Sequence, residues 1–298
     1  MSKMFNDLKE SLQDTISDAK SSKKNLKRNY LSNTLSRSPH DPHRKRVYLI
    51  NYLLNENIAF KCMQVPEDEE EQKKLLRALF NVRLPGEVSD EFLKIQDEYL
   101  KETILEKGIT DIKDLKEIEK GIYLWKGDIT TLKCDVIVNA ANSGMTGCYV
   151  PGHNCIDNAI HTYAGVELRN ACFEIIKKQG HEEETGNAKI TNGYNLPAKF
   201  IIHTVGPIVE NEVSKKQEEE LKSCYISCLI KADENDLKNI AFCCISTGVF
   251  SFPNEFAAKI AVDTVREYRE KNNSDIEVIF NVFTEFDYEI YENLLRRH

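Results

Sequence analysis

The sequence predicts an α/β domain with a mostly parallel central sheet, preceded by a helical extension. After residue 120, short and nearly continuous apolar runs alternate with helical stretches, a pattern typical of strands buried on both faces of a parallel sheet. Between residues 44 and 119, apolar residues recur at helical spacing instead. A chain of 298 residues is long enough for one large domain and an extension.

Five apolar runs predict the strands of the sheet, and five amphipathic stretches predict the helices that connect or follow them. The predicted strands are residues 122–125, 136–138, 200–202, 240–245 and 278–280. The predicted helices are residues 155–163, 165–179, 216–232, 255–271 and 287–297. In such sheets, ligands bind beyond the carboxyl ends of the strands. Polar and small residues that follow the strands are therefore the first candidates for a binding site.

The predicted extension, residues 44–119, contains three apolar stripes at helical spacing. Val47, Ile50 and Leu54 form the first stripe, and Ser89 is placed to cap the third helix. We expect these stripes to form a packed core and assign no chemistry to them. Residues 120–298 form the predicted α/β domain.

Residues 1–43 are predicted to be a basic, partly mobile arm. Residues 1–46 contain 11 Lys and Arg against 5 Asp and Glu, although the whole chain has a net charge of −8. A basic segment can bind nucleic acid, but no aromatic residues alternate with these charges to stack on bases. We therefore favour a solvated arm and expect no nucleic-acid partner.

The nine cysteines match no framework of extracellular disulfides. The first residues lack the apolar stretch of a secretory signal, and no apolar run approaches the roughly 18 residues that cross a bilayer. These features predict a cytoplasmic protein with no membrane association.

A glycine-rich segment after the second predicted strand contains Cys148, His153 and Cys155 within eight positions. Two thiolates and an imidazole are ligands that suit zinc, and three protein ligands with one open position are typical of catalytic zinc. The spacing is not that of a standard zinc finger. From the residues alone, two buried thiols beside an unrelated histidine are an equally good interpretation.

A second candidate site follows the fourth predicted strand. Residues 246–250 form a small-residue turn that leads through Pro253 into a helix. Backbone N–H groups at such a turn can bind phosphate without a cationic side chain. A purely structural turn would have the same residues, so this indication is weak alone.

Six motifs together strongly resemble the macrodomain family. They are, in order, residues 127–130, 136–142, 157–161, 186–191, 202–207 and 246–250. The resemblance covers residues 120–298 and implies a three-layer α/β/α module that binds ADP-ribose. Where the common hydrolase branch has a run of glycines, this chain has the segment from Gly147 to Cys155. That departure, with the helical extension, resembles the zinc-containing branch of bacterial and fungal protein-ADP-ribose hydrolases.

The resemblance implies a role for each matching residue. The Asp128 side chain would accept a hydrogen bond from the adenine 6-amino group, with the Ile129 amide beside it. Asn142 would hold the distal ribose, and Ile156 and Asp157 would face the same sugar. The diphosphate and distal ribose would be enclosed by Ser246, Thr247, Gly248, Val249 and Phe250. One zinc ion would be held by Cys148, His153 and Cys155.

The resemblance also implies an activity. The chain would be a zinc-dependent hydrolase that removes mono-ADP-ribose from modified acidic side chains of proteins, with Asn142 and Asp157 as catalytic residues. A partner implied by this branch is a lipoyl-carrier protein modified by a sirtuin-type ADP-ribosyltransferase. Two alternatives stay open: a module that binds ADP-ribose without cleaving it, and an O-acetyl-ADP-ribose deacetylase.

Overall fold

A computed structural model of the protein describes residues 41–296, so almost all of the predicted basic arm lies outside the described residues. The described chain forms two compact units. The first unit contains residues 41–103 together with the loop Cys148–Asn154, and the second contains residues 104–147 and 155–296. The loop that carries Cys148 and His153 therefore groups with the helical extension.

The extension contains the three helices that its apolar stripes predict: α1 (Pro42–Glu56), α2 (Glu69–Val82) and α3 (Asp90–Lys107). The Asp68 side chain caps α2 by accepting from the N–H groups of Glu70 and Glu71, which satisfies donors that a helix start leaves open. The helical prediction is confirmed for residues 44–56, 69–82 and 90–107, and residues 57–68 form a non-helical connection.

The second unit is built on a seven-stranded mixed sheet. Its strands are β2 (Glu117–Glu119), β3 (Ile122–Lys126), β5 (Val136–Ala141), β6 (Ala188–Asn192), β7 (Phe200–Val205), β8 (Asn239–Phe242) and β9 (Glu277–Val282). A separate parallel pair joins β1 (Thr110–Asp111) to β4 (Leu132–Lys133). The order across the large sheet is β2-β3-β9-β8-β5-β7-β6. The five inner strands are mutually parallel and the two edge strands are antiparallel, which confirms the predicted mixed, mostly parallel sheet.

Five helices cover this sheet: α4 (Ile156–Ala164), α5 (Val166–Gln179), α6 (Lys215–Asp233), α7 (Asn254–Asn272) and α8 (Glu285–Leu295). They form two groups, α4 with α5, and α6, α7 and α8 in a row. The arrangement is the three-layer α/β/α architecture. Central strands have almost no exposed side chains, and Val136, Ile137 and Val138 are all fully buried, because helices take both faces.

Two expectations about local structure were wrong. The helical pattern assigned up to residue 119 ends at Lys107, and β2 forms an edge of the sheet. The fourth predicted strand, 240–245, ends at Phe242, because the chain turns before Ser246, which adopts a left-handed conformation with φ of 65°. Among residues 41–296, no helix is both long enough and apolar enough to span a bilayer.

The topology places the candidate residues along one edge of the sheet. Asp128 follows β3, residues 246–250 follow β8, and Asn142 follows β5, and the carboxyl ends of parallel strands meet at one edge. β3 and β5 are three strand positions apart, which corresponds to about 14 Å at 4.8 Å per strand. The edge therefore suits an elongated ligand with its two ends over different strands.

Candidate functional site

The first end of the candidate site is the turn after β3. Asn281 on β9 fixes this turn, since its Nδ2 donates to the carbonyl oxygens of Trp125 and Gly127 over 3.3 and 3.0 Å. The Asp128 Oδ1 accepts from the Thr130 N–H at 3.0 Å, which caps a short 3₁₀ turn. A negatively charged acceptor is therefore held in a defined direction directly after the strand.

Asp128 has a cationic neighbour that sequence reasoning missed. Lys107 Nζ lies 2.8 Å from its Oδ2 and 3.4 Å from the centre of the Tyr163 ring. Burial alone would raise the pKa of the Asp128 carboxyl, but hydrogen bonds from Lys107 and Thr130 outweigh that effect and hold it below its ordinary value. Asp128 is thus an anionic acceptor, and any donor that binds it would share the carboxylate with Lys107.

The turn after β8 presents backbone donors. Within the described part of the chain, the N–H groups of Gly248, Val249 and Phe250 have no hydrogen-bond acceptor. Val249 is 69% exposed, and a Cβ at Gly248 would meet no atom within 4 Å, so internal packing does not require glycine there. Open N–H groups in a row are the arrangement that binds phosphate oxygens.

Ser246 opens this turn in an unusual environment. Its hydroxyl is buried without a partner among the described residues, and the residue is held at positive φ. A Cβ on Gly206 would lie 2.0 Å from the Ser246 Oγ, so only glycine at position 206 allows this close approach. Strained conformations and unpartnered buried polar atoms concentrate at functional sites.

The opposite end of the candidate site is organised around a buried carboxylate. Asp157 is 5% exposed and lies in the first turn of α4. Its Oδ1 accepts from Asn139 Nδ2 at 2.8 Å, and its Oδ2 accepts from Asn142 Nδ2 at 3.3 Å. The structure therefore brings the predicted pair, Asn142 and Asp157, together and adds Asn139, which sequence reasoning left without a role.

Two neutral histidines support this carboxylate. Burial lowers the pKa of His203 to about 3, so its ring is uncharged. Because Asn139 Nδ2 donates to His203 Nδ1 over 3.1 Å, the ring proton lies on Nε2 and is donated to the Thr191 Oγ1 at 2.9 Å. The ring of His203 thereby orients Asn139, and Asn139 orients Asp157.

His161 lies one helical turn after Asp157, and its Nε2 is 3.5 Å from the Asp157 Oδ1. Burial, with smaller contributions from Arg169 and His203, lowers the pKa of His161 well below its ordinary value. The close approach is therefore not an ion pair, because the imidazole is neutral.

The buried histidines predict a pH-dependent stability. The folded state keeps His203 neutral down to a pKa of about 3, whereas an unfolded histidine binds a proton near pH 6.5. Below about pH 6.5 the unfolded state therefore holds more protons, and the free energy of unfolding should fall by up to ~1.4 kcal/mol per pH unit for this residue. Denaturant titrations between pH 7 and pH 5 should show that the free energy of unfolding falls less steeply with decreasing pH in His203→Gln than in wild type. The matched control is His181→Gln, since His181 is exposed. An identical pH dependence in His203→Gln and wild type would contradict a neutral, buried His203.

The candidate metal ligands lie in the loop Cys148–Asn154, which we call the metal loop, and at Cys155 directly after it. The Cys148 sulfur is 3.6 Å from His153 Nδ1. Two ligands of a tetrahedral zinc ion lie about 3.5 to 3.6 Å apart, given Zn–S near 2.3 Å and Zn–N near 2.0 to 2.1 Å. The ligand atoms of Cys148, His153 and Cys155 all lie within 4.8 Å of one another. The donor set and the spacing therefore fit zinc.

The surroundings of these ligands favour a metal as well. Cys155 is the N-cap of α4, and its sulfur accepts from the Asn158 N–H at 3.4 Å, so negative charge on the sulfur is stabilised at a helix start. All three ligand residues are half-buried. Elsewhere in the described chain, burial raises the pKa of Cys134, Cys172 and Cys243 to about 12. Those thiols stay protonated in the core.

A tightly packed turn leads into the metal loop. Gly147 adopts a φ of 85°, and a Cβ there would lie 2.8 Å from the His161 ring. Arg169 is buried and its Nε donates to the Thr146 carbonyl at 2.7 Å. Glycine is therefore required at position 147.

Comparison with known proteins agrees with this geometry. The Macro domain family matches residues 138–261. The chain is 55% identical over 255 residues to a protein-ADP-ribose hydrolase of Treponema medium, covering 84% of this chain and 98% of that protein. It is 51% identical over 252 residues to a protein-ADP-ribose hydrolase of Staphylococcus aureus strain MSSA476, covering 84% and 94%. The chain belongs to the macrodomain family.

A solved macrodomain supports the same assignment. The Trypanosoma brucei macrodomain in complex with ADP-ribose superimposes with a TM-score of 0.58 at 29% identity, covering 74% of this chain and 94% of that one. In the present protein, the candidate residues at the edge of the sheet follow β3, β8 and β5. The roles of the individual residues, including those of Ile129 and Ile156, stay predictions.

The sequence could have indicated that Asn139 and His203 belong to the site, but it could not have indicated Lys107. Asn139 and His203 are polar residues inside apolar strand segments, and buried polar groups require partners. Lys107 gave no such indication, because it is one of several lysines on an amphipathic helix. Only the tertiary structure shows that it meets Asp128.

Proposed function

We propose that this macrodomain is a zinc-dependent hydrolase that removes mono-ADP-ribose from modified acidic side chains of proteins. One observation carries the proposal: a buried carboxylate, Asp157, is oriented by Asn139 and Asn142 two residues after Cys155 of the metal-ligand group. A module that only binds ADP-ribose needs neither the oriented carboxylate nor the three metal ligands.

The names of similar proteins support the reaction class. The relatives in Treponema medium and Staphylococcus aureus, at 55% and 51% identity, are protein-ADP-ribose hydrolases. The Trypanosoma brucei neighbour binds ADP-ribose. On this basis the adenine end of the ligand is proposed to lie at Asp128 and Ile129, and the diphosphate at residues 246–250.

The proposed metal ligands are Cys148, His153 and Cys155. When bound, zinc supplies Lewis-acid activation of the distal ribose or of a water molecule. Asn142 would orient the sugar, and Ile156 would contact it at the start of α4. Holding the reacting groups in one geometry lowers the entropic part of the barrier.

Asp157 is the proposed proton acceptor. Hydrolysis adds water across the ester: the bond between the distal ribose and the side-chain oxygen breaks, and free ADP-ribose and a protein carboxylic acid form. The attacking water must lose a proton, and a positioned carboxylate within hydrogen-bond reach can accept it. Both oxygens of Asp157 accept amide hydrogen bonds, one from Asn139 and one from Asn142, which orient the carboxylate.

The chemistry of the proposed substrate class comes from the resemblance. An ADP-ribosylated lipoyl-carrier protein, modified by a sirtuin-type transferase, stays the predicted partner. An O-acetyl-ADP-ribose deacetylase would use the same pocket and break an ester of the same kind.

The experiment that tests the proposed function measures release of free ADP-ribose from a protein modified on glutamate or aspartate. We expect multiple turnovers on that substrate and none on an arginine-linked one. Calorimetric titration with free ADP-ribose, run beside it, should show binding. Binding without release from the acid-linked protein would identify a binding module and contradict the hydrolase proposal.

A further inference from the structure

The backbone of the metal loop forms a defined turn around one proposed ligand. The His153 N–H donates to the Val150 carbonyl at 3.2 Å, and Gly152 between them adopts a φ of 64°. Proline followed by glycine at the two central positions is the preferred sequence of a type II turn, and the chain has Pro151 and Gly152 there. The Gly152 N–H and the His153 carbonyl take no part in this hydrogen bond, so each needs another partner.

Both partners are side chains of α2. The Gly152 N–H donates to the Asn81 Oδ1 at 2.9 Å, and the Arg77 Nη2 donates to the His153 carbonyl at 3.0 Å. Arg77 and Asn81 are four residues apart and share one face of the helix. Asn81 is only 1% exposed, and a buried amide that accepts from a loop N–H is costly to remove.

We propose that Asn81 and Arg77 are positioning residues for the metal loop, which belongs to the same compact unit. They bind the backbone on both sides of the His153 Cα and thereby hold its imidazole 3.6 Å from the Cys148 sulfur. Groups that hold the ligands of a metal tune its affinity although they do not touch it. The inference rests on the proposed zinc function for its metal, but the hydrogen bonds exist in the protein itself.

The first test measures zinc affinity on the full chain by competition with a chromophoric chelator. We expect Asn81→Ala and Arg77→Ala each to weaken zinc binding about three- to ten-fold, the range of one hydrogen bond. Lys74→Ala removes one positive charge from the exposed face of α2 and is the matched control. Zinc affinity unchanged in both alanine variants would overturn the inference.

The second test needs no metal and separates this inference from the proposed function. Hydrogen exchange of the Gly152 amide in metal-free protein should be about ten-fold faster in Asn81→Ala than in wild type, and unchanged in Lys74→Ala. Equal exchange in Asn81→Ala and wild type would overturn the positioning role. Faster exchange in a protein that binds no zinc would retain the positioning role and contradict the zinc proposal.

Folding of the variants is checked by circular dichroism before either test. Arg77 is only half-buried, so Arg77→Ala should fold even where Asn81→Ala does not. In that event, unchanged zinc affinity in Arg77→Ala overturns the inference, and weakened affinity supports it.

Discussion

Replacing Asp157 with alanine is expected to slow the release of ADP-ribose from an acid-modified protein by at least about 100-fold, the lower range for a general base. The affinity for free ADP-ribose should change much less, because the proposed adenine and diphosphate sites follow other strands, β3 and β8. The physical reason is the geometry of the carboxylate, which is buried, oriented by Asn139 and Asn142, and beside a neutral His161. The measurement is single-turnover release beside calorimetric binding.

Two further variants test whether the loss of release rate in Asp157→Ala comes from the missing proton acceptor. Asp157→Asn keeps the shape of the side chain and most of its packing but cannot accept a proton, so we expect it to lose as much rate with less loss of stability. Asp135→Asn is the matched control, since Asp135 precedes β5 at the opposite edge of the sheet and pairs with Lys199. A rate of release in Asp157→Ala equal to wild type would remove Asp157 from the catalytic residues.

Replacing Cys148 with alanine should produce the second large effect. We expect zinc content to fall from about one per chain to near zero, because two ligands hold zinc poorly where three are required. The rate of release should fall at least about 100-fold, which corresponds to about 2.7 kcal/mol of transition-state stabilisation. Metal content by mass spectrometry and the release assay are measured on the same sample.

Cys62→Ala is the control for the loss of a thiol, because Cys62 is exposed and lies outside the ligand group. It should keep both metal and rate. Full activity in a metal-free Cys148→Ala protein would contradict the zinc mechanism while leaving the macrodomain fold untouched.

The sequence predicted the inner part of the sheet because its physical pattern is strong. Runs such as 136–138 and 278–280 are continuous and apolar, and only strands covered on both faces combine that character with so short a length. The edge strands β2 and β6 were missed for the opposite reason. Their sequences mix charged and apolar residues, since one side of an edge strand meets solvent.

The candidate site was predictable where local sequence carries the geometry. Cys148, His153 and Cys155 lie within eight positions, so chain connectivity alone brings them near one another. Hydrogen bonds between distant segments, such as Asn81 with Gly152, need the tertiary structure, because 71 residues separate them along the chain. No periodicity or motif encodes such a pair.

The net charge of the chain is compatible with a proposed anionic ligand. A net charge of −8 would be no obstacle to an anionic ligand if the open backbone N–H groups at Gly248, Val249 and Phe250 bind it, as proposed. Helix starts and turns supply positive potential without lysine or arginine. An acidic net charge is therefore compatible with the proposed diphosphate site.

The most direct test of the zinc-dependent hydrolase is the rate of ADP-ribose release from a glutamate-modified protein before and after metal removal. The wild-type chain is stripped with a chelator, assayed, and assayed again after one equivalent of zinc is returned. We expect the rate to fall at least about 100-fold on removal and to recover on addition of zinc, with magnesium unable to replace it. A stripped protein that still releases ADP-ribose at the original rate would contradict the account.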